Sequence, residues 1–237
     1  MALLLTDDSV FLHVPKAGGT WVTRVLREAG VVRFRFSSKH ADVAHTLDFG
    51  RRHPWQYLKR TARGGPGLHG RIRAGYKFTF VRHPLSWYRS FYKYMTQLEW
   101  KRHTGIGRDP WHPYEELYDH KADSFEGFME RVVERSPGFC TRMFRGYTEP
   151  GVDFVGTQEN LVSDLVHVME ARGFEFDPER VRQRKRENVS SKAKKPLALP
   201  ADLFDAFAKT EAEGLERYGY DADPDAGRAQ PAESATR

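Results

Sequence analysis

The sequence predicts an α/β fold in which strands feed directly into helices, and three observations carry that reading. A short apolar run ends in a glycine-bearing loop and enters a helix near residue 20. The same arrangement recurs over residues 76–102, and a third strand-to-helix unit follows near residues 152–169.

Element by element, Val10–Val14 is an apolar run that stops at Pro15 and reads as a buried strand. Pro15–Gly19 is a loop. Val22, Val25, Leu26 and Ala29 then recur at helical spacing, with Thr20 placed to start the helix and Gly30 to end it. Tyr76–Val81 reads as a second buried strand, Arg82-His83 as a turn, and Pro84 as the first-turn proline of a helix running to about Arg102. Trp87, Phe91, Tyr94, Met95 and Leu98 share helical spacing on it and read as core. Val152–Val155 makes a third strand, and Leu161, Leu165, Val168 and Met169 line a helix begun near Thr157. Further helices are expected at Phe125–Val133 and Asp202–Tyr218. Residues 103–123 have no period and read as a long loop. Residues 1–220 are expected to form one domain and 221–237, without apolar pattern, a disordered tail.

The 237 residues are 39% hydrophobic with mixed charges, a composition that excludes a disordered or fibrous protein. The net charge of +6 fits a polyanionic partner: nucleic acid, an anionic membrane surface or a multiply phosphorylated small molecule. Cys140 is the sole cysteine, which excludes an internal disulfide and a cysteine-built zinc site, and it reads as a small buried residue. The run Ala2-Leu3-Leu4-Leu5 lacks a basic leader and soon meets Asp7-Asp8, so it is read as neither signal peptide nor anchor. No stretch approaches the ~20 apolar residues of a membrane span. A soluble chain in the cytoplasm is the expectation.

The chemistry concentrates at Pro15-Lys16-Ala17-Gly18-Gly19-Thr20-Trp21. A glycine loop between a strand and a helix holds phosphate, because backbone N–H groups and the helix dipole point at the anion. Lys16 adds a fixed cation and Thr20 a hydroxyl. In the ordinary nucleotide P-loop the lysine follows the last glycine; here it comes first. That order resembles the 5′-phosphosulfate loop of sulfotransferases that use 3′-phosphoadenosine 5′-phosphosulfate (PAPS). The resemblance implies that Lys16 contacts the phosphosulfate, that the amides of Ala17, Gly18, Gly19 and Thr20 bind the 5′-phosphate, and that Trp21 stacks on adenine.

A nucleotide with a 3′-phosphate needs a second anion site, which a forked guanidinium supported by a hydroxyl supplies. Arg82 and Ser90, eight positions apart in Val81–Tyr92, resemble the family's 3′-phosphate motif, with Ser86 and Arg89 as near alternatives. Asn188-Val189-Ser190-Ser191-Lys192 looks like a late segment of the carbohydrate-type branch that covers the nucleotide, so Ser190 and Lys192 join the candidate site, beside the basic residues Arg184, Arg186, Lys194 and Lys195. The resemblance implies a three-layer, P-loop-NTPase-like sulfotransferase fold on a central parallel sheet. It implies PAPS as co-substrate, adenosine 3′,5′-bisphosphate (PAP) as product, and no metal.

The acceptor hydroxyl must lose a proton, work that suits a histidine. His40 is the first candidate, because family members carry their base between the two nucleotide motifs; His45 and His69 occupy the same interval, and Asp42 or Glu159 would also serve. Trp87, Tyr88, Tyr92, Trp100, His103, Trp111, His112 and Tyr114 are candidate walls of a pocket for a small-molecule or carbohydrate acceptor, with no nucleic acid or membrane partner. Two rivals stand beside this reading: a kinase-like enzyme acting on ATP, which lacks a Walker-type lysine here, and a basic nucleic-acid binder, which lacks a recognisable motif. Neither the acceptor nor the oligomeric state is legible.

Overall fold

The computed structural model describes residues 2–35, 40–48, 67–101, 112–185 and 197–225. Five strands, β1 (Leu3–Leu5), β2 (Val10–Leu12), β3 (Val32–Arg35), β4 (Lys77–Val81) and β5 (Phe154–Thr157), form one sheet in the order β3-β1-β2-β4-β5. The expected parallel sheet holds for β2, β4 and β5, which pair in parallel. It is corrected at β1, which runs antiparallel to both β2 and β3. The reason is local. Thr6–Ser9 is too short for a crossover, so the strands it joins must be antiparallel, and Asp7 fixes the turn by accepting from the Ser9 amide at 2.9 Å and its hydroxyl at 2.6 Å. The Ala2–Leu5 run is therefore sheet edge-to-centre material, with Leu3, Leu4 and Leu5 fully buried.

Because side chains alternate along a strand, the sheet feeds two apolar layers. Leu4, Val10, Leu12 and Val81 point into one, and Leu3, Leu5, Phe11, Phe78 and Phe80 into the other. The first layer is covered by α2 (Val43–Leu47), α3 (Leu68–Ala74), α4 (Pro84–Gln97), a 3₁₀ turn (Glu115–His120), α5 (Phe125–Arg135), α6 (Phe139–Thr148) and α9 (Ala201–Thr210). The second is covered by α1 (Gly19–Glu28), α7 (Leu161–Ala171) and α8 (Pro178–Gln183). The helices α9 and α10 (Ala212–Arg217) occupy the stretch expected as one helix.

That break has a cause. Glu211, 1% exposed, turns inward to the start of α6, where it accepts from the amides of Cys140 (3.0 Å) and Thr141 (2.9 Å) and from the hydroxyls of Thr141 and Tyr88 (2.6 Å each). A buried carboxylate is tolerable only when so fully donated to. Two other boundaries moved for local reasons. α4 ends at Gln97 because Glu99 and Trp100 take positive φ. α7 starts at Leu161 because Thr157 finishes β5 with its amide on the Asp164 carboxylate, 2.8 Å away.

Candidate active site

The site lies where β2 and β4, adjacent and parallel, deliver their loops to the same end of the sheet. Lys16 sits in the left-handed region at φ 63°, and Gly18 at φ 83° precedes α1. The first-turn amides of α1 have no acceptor within the helix. The two glycines are required from beneath the loop: a Cβ on Gly18 would lie 2.6 Å from a Leu161 methyl, and one on Gly19 2.3 Å from the His13 ring.

The second motif grips the first. Trp87 of α4 donates its indole N–H to the Pro15 carbonyl at 2.8 Å, and Arg82, at the end of β4, donates to the Lys16 carbonyl at 3.2 Å. Arg82 Nε is buried with no hydrogen-bond partner among the described residues. Burial pulls this guanidinium below its usual pKa, and the nearby Glu159 carboxylate opposes the shift. His83 caps α4, accepting the Leu85 amide at Nδ1 (3.1 Å), so its Nε2–H donates to the Asp221 carbonyl (2.8 Å); burial lowers its pKa. Ser86, Ser90 and Tyr94 are spaced by four residues, hence on one face of α4, and all are partly exposed. Arg89 is turned to the returning chain, with the Leu197 carbonyl at 2.8 Å and Asp225 at 3.2 Å.

Next to Lys16 the fold gathers aromatic and imidazole rings. The Lys16 ammonium lies 4.1 Å from the centre of the Tyr94 ring, and Tyr94 hydrogen-bonds Tyr114. Tyr114 lies 3.7 Å from His112, His112 5.2 Å from His40, and His40 4.9 Å from His13, ring centre to ring centre. His40 Nδ1 is 3.3 Å from the His13 carbonyl. A carbonyl only accepts, so this bond places the proton on Nδ1 and leaves Nε2 as the basic nitrogen of the neutral ring.

Placement sorts the remaining candidates. His45 and Asp42 are engaged with each other, amide to carboxylate at 2.7 Å and ring to carboxylate at 2.8 Å, as the cap of α2. His69 is exposed on α3. Glu159 belongs to the arginine pole, accepting from Tyr220 at 2.8 Å and the His83 amide at 3.3 Å. Thr20 is partly exposed and Ala17 buried. Trp21 is 3% exposed within the second apolar layer, so its ring presents no open face for a base in this conformation. Trp87 and Tyr88 are core, while His112 and Tyr114 do stand beside the loop. Arg184 pairs with Glu28. Ser190, Lys192, Arg186, Lys194, Lys195, His103 and Trp111 lie outside the described residues. Tyr94, read from spacing as core, is the site residue the sequence concealed; its only signal was its position one turn beyond Ser90.

The fold is a mixed α/β sheet with a lysine- and glycine-bearing loop after β2 and an arginine at the end of β4 leading into α4. The chain matches the model of the sulfotransferase family over residues 6–209, and it belongs to that family. Its role is therefore in sulfuryl transfer. No curated protein and no solved structure matches the chain. No helix among the described residues is long and apolar enough to cross a membrane, and no group of three or more His, Cys, Asp or Glu among them is placed to hold a metal ion.

Proposed function

We propose that the chain transfers the sulfuryl group of PAPS to a hydroxyl or amine of a small-molecule or carbohydrate acceptor. One observation carries the reading: Arg82 reaches the carbonyl of Lys16 itself while its buried Nε finds no partner among the described residues. A buried guanidinium N–H without an acceptor is costly, and a 3′-phosphate oxygen supplies one. The residues present thus fit a nucleotide with anions at both ends. The loop amides and Lys16 bind the 5′-phosphosulfate, and Arg82 with Ser90 binds the 3′-phosphate.

In the transfer step the acceptor oxygen forms a bond to sulfur as the bond from sulfur to the bridging oxygen breaks. That electron pair stays on the 5′-phosphate of the departing PAP, where Lys16 offsets the charge. His40 Nε2 takes the acceptor proton. Removing one such preorganised donor typically costs ~10²–10³ in turnover, the effect expected of Lys16→Ala.

Calorimetry tests the donor. PAP should bind at least tenfold more tightly than adenosine 5′-monophosphate, a difference of about 1.4 kcal/mol, and Arg82→Lys should erase that difference while leaving the monophosphate unaffected. Equal binding of the two nucleotides, or preference for ATP with Mg²⁺, rejects the proposal. Labelled PAPS offered with sugar and phenol acceptors then identifies the acceptor class.

A further inference from the structure

The contact between Lys16 and Tyr94 joins the two halves of the site. The loop backbone around Lys16 is fixed from α4 by Trp87 and Arg82, so the freedom left to Lys16 is in its side chain. That side chain ends 4.1 Å over the Tyr94 ring. Tyr94 is in turn tied to Tyr114, which is 2% exposed and packs edge-on against Phe91 at 5.1 Å. Tyr114 leads through His112 to His40. The ammonium is therefore held next to the rings that lead to the imidazoles. This is where a sulfuryl group passing from the nucleotide to a deprotonated acceptor must lie.

We propose that Tyr94 is the positioning residue for Lys16: its ring face holds the ammonium over the transferring group. The role rests on the PAPS reading above. An ammonium on an aromatic face is attracted by the ring quadrupole, which does not require the phenol oxygen. Phenylalanine should therefore substitute and an aliphatic side chain should not. The long lysine stem is flexible, so without the ring the ammonium would have to be ordered anew during each transfer. The loss should then fall on kcat rather than on nucleotide affinity.

The test has two readouts. In protein labelled at lysine Cε, with the Lys16 signal assigned through Lys16→Arg, the ring current of Tyr94 should shift that signal upfield in wild type and Tyr94→Phe, and the shift should vanish in Tyr94→Met. In turnover, Tyr94→Met should lose kcat by roughly 3- to 30-fold, the range of cation–π contacts, with KM for PAPS changed less than about threefold and Tyr94→Phe near wild type. An unshifted Lys16 signal in wild-type protein that binds PAP overturns the positioning role alone. So does a Tyr94→Met enzyme with normal kcat, or a Tyr94→Phe enzyme as impaired as Tyr94→Met. A shifted signal in protein that does not bind PAP rejects the donor, and with it the role in turnover.

Discussion

Gly19→Ala isolates how tightly the loop is packed onto the strand beneath it. A methyl group built there would stand 2.3, 2.6 and 2.7 Å from three atoms of the His13 imidazole, against the 3.4 Å or more of ordinary contact. His13 is 3% exposed and its ring meets Phe11 and His40, so it cannot swing into solvent. Overpacking of this kind costs about 1–3 kcal/mol. Alanine's helix preference over glycine, ~1 kcal/mol in a helix interior and less in a first turn, opposes it. Gly19 is not at positive φ, so backbone strain adds nothing. The net expectation is a loss of about 1–2 kcal/mol, or roughly 2–8 °C in Tm at this chain length. Urea denaturation of wild type, Gly19→Ala, His13→Ala and the double variant measures it. The double variant should be less destabilised than the sum of the singles by about 0.5–3 kcal/mol, because removing the imidazole removes the clash. An unchanged midpoint for Gly19→Ala, or strict additivity in the cycle, would refute the packing argument.

Two further outcomes follow from buried polar groups. Glu211→Ala strands the Thr141 amide and the hydroxyls of Thr141 and Tyr88 inside the first apolar layer, while the Cys140 amide keeps the Tyr88 hydroxyl at 3.1 Å, and should cost about 3–5 kcal/mol, read as a fall in urea midpoint. A Glu211→Ala protein within about 1 kcal/mol of wild type would show that these donors find other partners. Burial also lowers the pKa values of His83 and His120. The unfolded chain then binds protons before the folded one does, so stability is full above the unfolded histidine value near ~6.5 and is lost as pH falls below it. Tm measured from pH 8 to pH 5 should drop below that value, and His83→Asn, which keeps a capping side chain, should flatten part of the slope. A profile indifferent to His83→Asn would mean that the imidazole titrates alike in both states.

Much of the scaffold was legible because its signals are local. An apolar run, a pair of glycines and a helical period declare β2, the loop and α1 without reference to anything distant. Val81-Arg82-His83-Pro84 likewise marks a strand end and a helix start. β1 escaped because Leu3–Leu5 leads into a tight turn rather than a helix, and β3 because it alternates half-buried with exposed residues. α6 escaped because Gly138 at φ 65° opens it and its cap, Glu211, comes from 72 positions later than Phe139.

The sequence by itself determined the class of fold and the two motif segments at the ends of β2 and β4, since those depend on residues within a dozen positions of one another. Only the tertiary structure decided which groups meet them. It set Arg82 on the Lys16 carbonyl, assigned His45 to Asp42 and Glu159 to Tyr220, and brought Tyr94 under the Lys16 ammonium and His40 against His112. Such pairings arise when a sheet orders its strands and buries two layers around them, and no window along the chain contains that information.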